Sequence, residues 1–310
     1  MNDLQRYLVD EAVEDYKDGR LSRRETLRLL TGLTGAVLAS QILDAQAQSA
    51  PAPAAPAATA APAVVPTGPK SAASVADNDP AIIAANIQFP GGDGQLMGYI
   101  ARPAKAGSFP IVLVCHENRG LTRHIEDVTR RLAKAGYVGF AVDLLSREGG
   151  TNKHSYDAIP ALLGPPPPAR HVQDFQSALT YAKAQPFARG DRAGMTGFCF
   201  GGGVTWRVAV GIPELRAVVP FYGLPVAAGE VPKINAPVLA IYAGRDARIN
   251  ANIPAIEAAM KENAKVFRKI VYPDVDHAFH NDTGDRFNAG AALAAWDETL
   301  AWFAKYLKNA

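Results

Sequence analysis

The nine residues "MTGFCFGGG", Met195 to Gly203, decide how this chain is read. An apolar run, "RAGMTGF" (Arg192 to Phe198), leads into them, and "GGVTWRVAVG" (Gly202 to Gly211) follows with helical character. Strand, tight turn and helix in that order put Cys199 at the centre of Gly197-x-Cys199-x-Gly201. This is the pattern of a nucleophile elbow, which holds one reactive side chain at the top of a sheet. The glycines have a steric task, because the apex residue takes strained backbone angles and neighbouring side chains would clash. The elbow aims the sulfur beside a helix N-terminus. There the macrodipole favours thiolate, the reactive form, over thiol. A buried structural cysteine fits such a turn too, so the case rests on its partners.

Working outward, strands alternate with helices. "QLMGYIARP" (Gln95 to Pro103) reads as an early strand, and "FPIVLVCHE" (Phe109 to Glu117) is a continuous apolar run, as in a strand buried on both faces. "HIEDVTRRLAKAG" (His124 to Gly136) carries Ile125, Val128, Leu132 and Ala135 on one helical face and ends at a glycine. "YVGFAVDL" (Tyr137 to Leu144) is a strand. The prolines from Pro165 open a helix with Val172, Phe175, Leu179 and Ala182 on one stripe. After the elbow, "RAVVPFYG", "APVLAIYAG" and "FRKIVYP" read as three more strands, and "GAALAAWDETLAWFAKYL" as a terminal helix. The pattern predicts an α/β fold: a doubly wound, mostly parallel sheet with helices on both faces. Working groups then sit on loops at the C-terminal strand ends.

Three partners of Cys199 fall at such loops. His277, in "DVDHAFHND", follows the last strand and is the expected base; His280 is the competitor three residues on. Asp246, in "IYAGRDARI", lies between nucleophile and histidine in the chain, which is the acid's place in an α/β-hydrolase. Asp274 and Asp276 sit too near His277 in sequence. The loop "CHENRGL" (Cys115 to Leu121) offers a second oxyanion donor, Asn118, beside the N–H of Phe200. Glu117 in the same loop would repel a thiolate, so it is expected to hold the resting thiol or to pair with Arg147 or Arg119. No His-x-x-x-His pair suggests zinc, and the chemistry asks for neither metal nor organic cofactor.

The stretch from Asp79 to Ala310 resembles the dienelactone hydrolase (carboxymethylenebutenolidase) family of α/β-hydrolases. "GFCFGGG", "HENRGL", "VDLLSREG", "AGRDARI" and "DHAFHNDTGDRFN" appear in family order. The resemblance implies Cys199 as nucleophile, His277 as base, Asp246 as orienting acid and Glu117 as the carboxylate controlling the thiol. It also implies Arg147 as a contact to the substrate carboxylate. One position departs: Asn281 stands where the family has a second carboxylate-binding arginine, whose bidentate clamp an amide does not copy.

The expected reaction is ester or lactone hydrolysis through a thioester acyl-enzyme, with a small-molecule substrate. The alternatives are a broad carboxylesterase or thioesterase on uncharged esters, a redox-sensitive protein pairing Cys115 with Cys199, and a non-catalytic scaffold. The 310 residues carry a net charge of only +2, which gives nucleic acid no basic field to bind, and two cysteines make no disulfide framework.

The N-terminal residues read differently. Arg23 and Arg24 precede the apolar stretch Leu29 to Leu43, and small residues stand at Ala45 and Ala47. With Leu27 the arginine pair resembles a twin-arginine export signal, apart from Thr26 and an acidic leader (Asp10, Glu11, Glu14, Asp15). The alternative is a plain amphipathic helix. The export reading makes 1–47 a signal cut near Ala47 and recognised by the twin-arginine export machinery. It makes 48–77 a Pro/Ala-rich disordered tether and 78–310 the hydrolase domain. It implies a periplasmic or secreted protein, with no stable membrane insertion after signal removal.

Overall fold

The computed structural model describes residues 1–49 and 70–309. Its centre is an eight-stranded sheet. Six strands are β1 (Ile82–Gly91), β2 (Gly94–Pro103), β3 (Phe109–Cys115), β4 (Val138–Asp143), β5 (Ala188–Phe198) and β6 (Ala217–Phe221). They are followed by β7 (Val238–Ala243) and β8 (Phe267–Tyr272), and the spatial order is β1-β2-β4-β3-β5-β6-β7-β8. β1 pairs antiparallel with β2, and β2 antiparallel with β4; every other pairing is parallel. This is the mostly parallel α/β-hydrolase sheet that the apolar runs predict. Every residue of β3, β4, β6 and β7 is buried, as crossover helices on both faces require.

Those helices are α4 (Arg123–Lys134), the short α5 (Ile159–Leu163), α6 (Pro168–Lys183), α7 (Phe200–Gly211), the single turn α8 (Ala247–Asn250), α9 (Ile253–Glu262) and α10 (Ala289–Phe303). β1 and α9 are absent from the sequence reading. One buried ionic network ties α4 to the loop after β8. Asp282 accepts from His124 at 2.7 Å and from Arg131 at 2.6 Å, and Arg131 also pairs with Asp127 at 2.5 Å.

The first 49 residues are helical. They form α1 (Asp3–Lys17), α2 (Arg23–Thr34) and α3 (Ala36–Ser49). Capping boxes start the first two, Asn2 with Gln5 and Ser22 with Glu25. Leu4, Leu8, Val9 and Ala12 of α1 are buried, as are Leu29, Leu30 and Leu33 of α2. Each large aliphatic side chain so buried stabilises docking by about 1.5–3 kcal/mol. α2 packs on α5, and α1 on α7. Among the described residues no helix is long and apolar enough to cross a membrane.

The Pro/Ala-rich stretch from 50 to 69 lies outside the described residues. Contacts with the domain begin before residue 78: the N–H of Ser71 donates to Asp282, the N–H of Val75 donates to Asp127, and the carbonyl of Val75 accepts from Arg130. The segment 71–77 is therefore a strap on α4.

Candidate active site

Cys199 stands between β5 and α7 with φ 59° and ψ −121°, a backbone conformation that L side chains rarely adopt. The glycines hold it there. A Cβ on Gly197 would strike the Gly201 carbonyl and the Thr205 hydroxyl, and one on Gly201 would strike the carbonyls of Cys115 and His116. The elbow is thus packed against the end of β3, and its sulfur points to the loops beyond β3, β7 and β8.

His277, in the loop after β8, contacts Asp246 Oδ2 through Nδ1 at 2.5 Å. Asp246, after β7, also accepts from the Ile249 N–H at 3.1 Å. Burial alone would raise the Asp246 carboxyl, but His277 and Arg248 outweigh it and hold it below its ordinary range. With the ring proton on Nδ1, facing that carboxylate, Nε2 is free to accept. A His277 ring nitrogen and Sγ of Cys199 lie within 4.8 Å of each other. The competitor His280 stacks on Phe198 at 5.0 Å between ring centroids, fully buried, and its ring nitrogens have no hydrogen-bond partner among the described residues. Burial drives its pKa down, so it serves packing.

Cys199 and Cys115 are both free thiols. Burial pushes the Cys199 pKa up, and the charges of Glu11 and Glu117 push it further; the Tyr7 hydroxyl and the Phe200 N–H pull the other way and lose. Burial and the two carboxylates thus favour the thiol over the thiolate expected from the helix N-terminus. The Phe200 N–H faces the sulfur. Asn118 is also at the site, with its side-chain amide donating at 2.8 Å to Glu11 Oε2.

Two predicted residues make other contacts than those expected. Glu117 is buried near the thiol but hydrogen-bonds the Asn281 amide, and its Oε1 has no partner among the described residues. The carboxylate that accepts from Sγ is Glu11 Oε1, at 3.3 Å. The carboxylate bonded to the thiol is thus Glu11, while Glu117 is bonded to the Asn281 amide. Arg147 is held by Asp93 and by both carboxylate oxygens of Asp174, and it makes no bond to Cys199, His277 or Glu117. Arg147→Ala is expected to leave KM unchanged. It should lower stability by about 1–3 kcal/mol, because Asp174 loses its charged partner in a buried position. Ester kinetics and thermal melts on one preparation check both.

Sequence reading missed Tyr7, Glu11, Arg248 and Arg286. The Tyr7 hydroxyl lies 3.2 Å from Sγ and 3.3 Å from His277 Nε2, bridging them. Arg248 lies over the Tyr7 ring at 4.5 Å, and Arg286 lies 3.6 Å from Asp15. Burial would raise the Glu11 carboxyl, but His277, Arg248 and Arg286 outweigh it and keep it ionised. Glu11, Cys199 and His277 together offer donor atoms within 4.8 Å of one another, a set of the kind zinc takes. One of the three belongs to α1.

A strained elbow at a parallel-strand end, backed by an Asp-oriented histidine, defines an α/β-hydrolase site. The comparisons make the assignment finer. Residues 96–307 match the sequence model of the dienelactone hydrolase family, and the chain belongs to that family. It is 35% identical over 246 residues to a protein of Methylorubrum extorquens named "Putative carboxymethylenebutenolidase", covering 75% of this chain and 84% of the relative. It is 30% identical over 223 residues to a Bradyrhizobium protein named "Probable 2-oxo-3-(5-oxofuran-2-ylidene)propanoate lactonase", covering 68% of this chain and 90% of the relative. The crystal structure titled as a putative dienelactone hydrolase from Klebsiella pneumoniae superposes with TM-score 0.69 at 34% identity, covering 73% of this chain and all of that one. The protein is therefore a dienelactone hydrolase-like hydrolase.

Proposed function

We propose that the protein hydrolyses small esters or lactones through a thioester on Cys199. The observation that carries this is the Asp246–His277 contact with a His277 ring nitrogen within 4.8 Å of the elbow sulfur, at the ends of β7, β8 and β5. His277 Nε2 takes the thiol proton as Sγ attacks the carbonyl. The N–H groups of Phe200 and Asn118 receive the developing oxyanion. The C–O bond breaks, and the leaving oxygen takes the proton from His277. Water, deprotonated by the same nitrogen, then splits the thioester and restores the thiol. A thiolate suits a good leaving group such as an enol lactone.

The Bradyrhizobium name specifies a lactone with a carboxylate arm, and that class is the first reading. The second is an uncharged ester. It is favoured by Arg147 being tied to two aspartates and by Asn281 replacing a clamp arginine. The test is hydrolysis of a carboxylate-bearing dienelactone and of p-nitrophenyl acetate by the full chain and by a Tyr7→Ala/Glu11→Ala chain. Turnover of both supports the first reading, and of the aryl ester alone the second. Turnover of neither, with Cys199 freely alkylated, rejects hydrolysis. Export of the protein by residues 1–47 remains a separate proposal, tested by sequencing the N-terminus of protein recovered from the periplasm.

A further inference from the structure

The site just described is closed. Cys199 is 3% exposed and His277 6%. What closes them is α1, which lies outside the family-matched residues 96–307. One face of this helix, at spacings of three and four residues, carries Asp3, Leu4, Tyr7, Leu8, Glu11, Ala12 and Asp15. Leu4, Tyr7, Leu8, Glu11 and Ala12 on it are buried.

Its polar groups reach the nucleophile and base directly. Glu11 Oε1 accepts from Sγ at 3.3 Å and lies 3.6 Å from His277 Nε2, while Oε2 accepts from Asn118 at 2.8 Å. Oε1 thus takes the space beside sulfur and imidazole where water would attack the thioester, as an oxygen of the released acid would, and Oε2 is held by the Asn118 side chain. The Tyr7 hydroxyl spans nucleophile and base, in the space of a leaving alcohol. Anchors flank the pair outside the catalytic groups. Asp3 pairs with Arg207, Glu14 with Arg248 at 2.9 Å, and Asp15 with Arg286 at 3.6 Å. Asn2 donates to the carbonyls of Gly164 and Pro166, both at 3.1 Å.

A reacting carbonyl must come within about 3–3.5 Å of the sulfur. Tyr7 and Glu11 already fill that shell. We propose that α1 is a tethered product mimic that plugs the catalytic centre, so that the enzyme is latent until the helix leaves. The inference rests on the hydrolase reading for what the Glu11 carboxylate imitates. A cut near Ala47, where the export reading puts it, would leave the plug without its covalent tether.

The test uses the full-length protein in three forms: wild type, Tyr7→Ala/Glu11→Ala, and Asp3→Lys/Glu14→Lys/Asp15→Lys. The last reverses three anchors and alters no group that touches Cys199 or His277. Two rates are read, iodoacetamide labelling of Cys199 located by peptide mass, and hydrolysis of p-nitrophenyl acetate. A site open in a tenth of wild-type molecules would show about a tenfold gain in both rates once α1 is released. The plug is overturned when labelling stays at the wild-type rate in both variants. It is overturned too when labelling rises but ester turnover falls below wild type, because α1 then supplies catalytic groups. Faster labelling with no ester turnover in any form keeps the plug and rejects the hydrolase reading. The alanine pair keeps the test decisive should the lysine variant fail to fold.

Discussion

Cys199→Ala should remove ester hydrolysis to the level that binding and oxyanion donors alone sustain, a loss on the order of 10⁴-fold or more. Asp246→Asn should come close to it, about 10³–10⁴-fold, for a different reason. In the proposed mechanism the carboxylate, 2.5 Å from His277 Nδ1, holds the proton there and supports the imidazolium formed when Nε2 takes the thiol proton. An amide there satisfies the geometry with the wrong tautomer. The two changes are not additive, since both disable the same proton transfer, so the double variant should match Cys199→Ala alone. Steady-state kinetics on p-nitrophenyl acetate, in the Tyr7→Ala/Glu11→Ala background as well as wild type, check all three.

The second large effect is on stability. Asp282 has no exposed surface and holds His124, Arg131 and the Ser71 N–H at once. Burial would raise its carboxyl, but His124 and Arg131 outweigh burial and hold it well below the usual range. Asp282→Asn takes the carboxylate from Arg131 and the His124 ring, though Arg131 keeps Asp127, so the expected cost is about 3 kcal/mol. For a domain of this size that is a drop of about 6–12 °C in Tm. The sign with pH follows from the depressed folded value. The contribution is complete above about pH 4, the ordinary range of an unfolded Asp. It is lost as pH falls from there toward the folded pKa. The wild-type advantage in Tm should be constant near neutrality and shrink in acid.

The sheet was legible because its central strands are continuous apolar runs with turn residues at their ends. β1 escaped because it is an edge strand in which Asn86 and Gln88 interrupt the apolar pattern and Pro90 falls within it. α9 escaped because it spans only ten residues and carries Pro254 in its first turn. Cys199, His277 and Asp246 were readable from chain order and loop position. Tyr7 and Glu11 were not, since their contacts with the site span 270 and 188 residues. The capping box at Asn2 and the spacing of Leu4, Leu8 and Ala12 do mark α1 as an amphipathic helix. The arginine pair and the apolar run behind it drew the reading toward export, and the acidic leader counted as a departure from that pattern. Where such a helix docks depends on surfaces that exist only after folding.

The most direct measurement is the mass of Cys199 during turnover. The protein would be mixed with p-nitrophenyl acetate, quenched in acid within the burst, and digested for peptide masses. The account predicts one acetyl group on the Cys199 peptide, removed by neutral hydroxylamine as a thioester is, and absent from Cys199→Ala. Turnover with an unmodified Cys199, or with the acyl group on another residue, would contradict it.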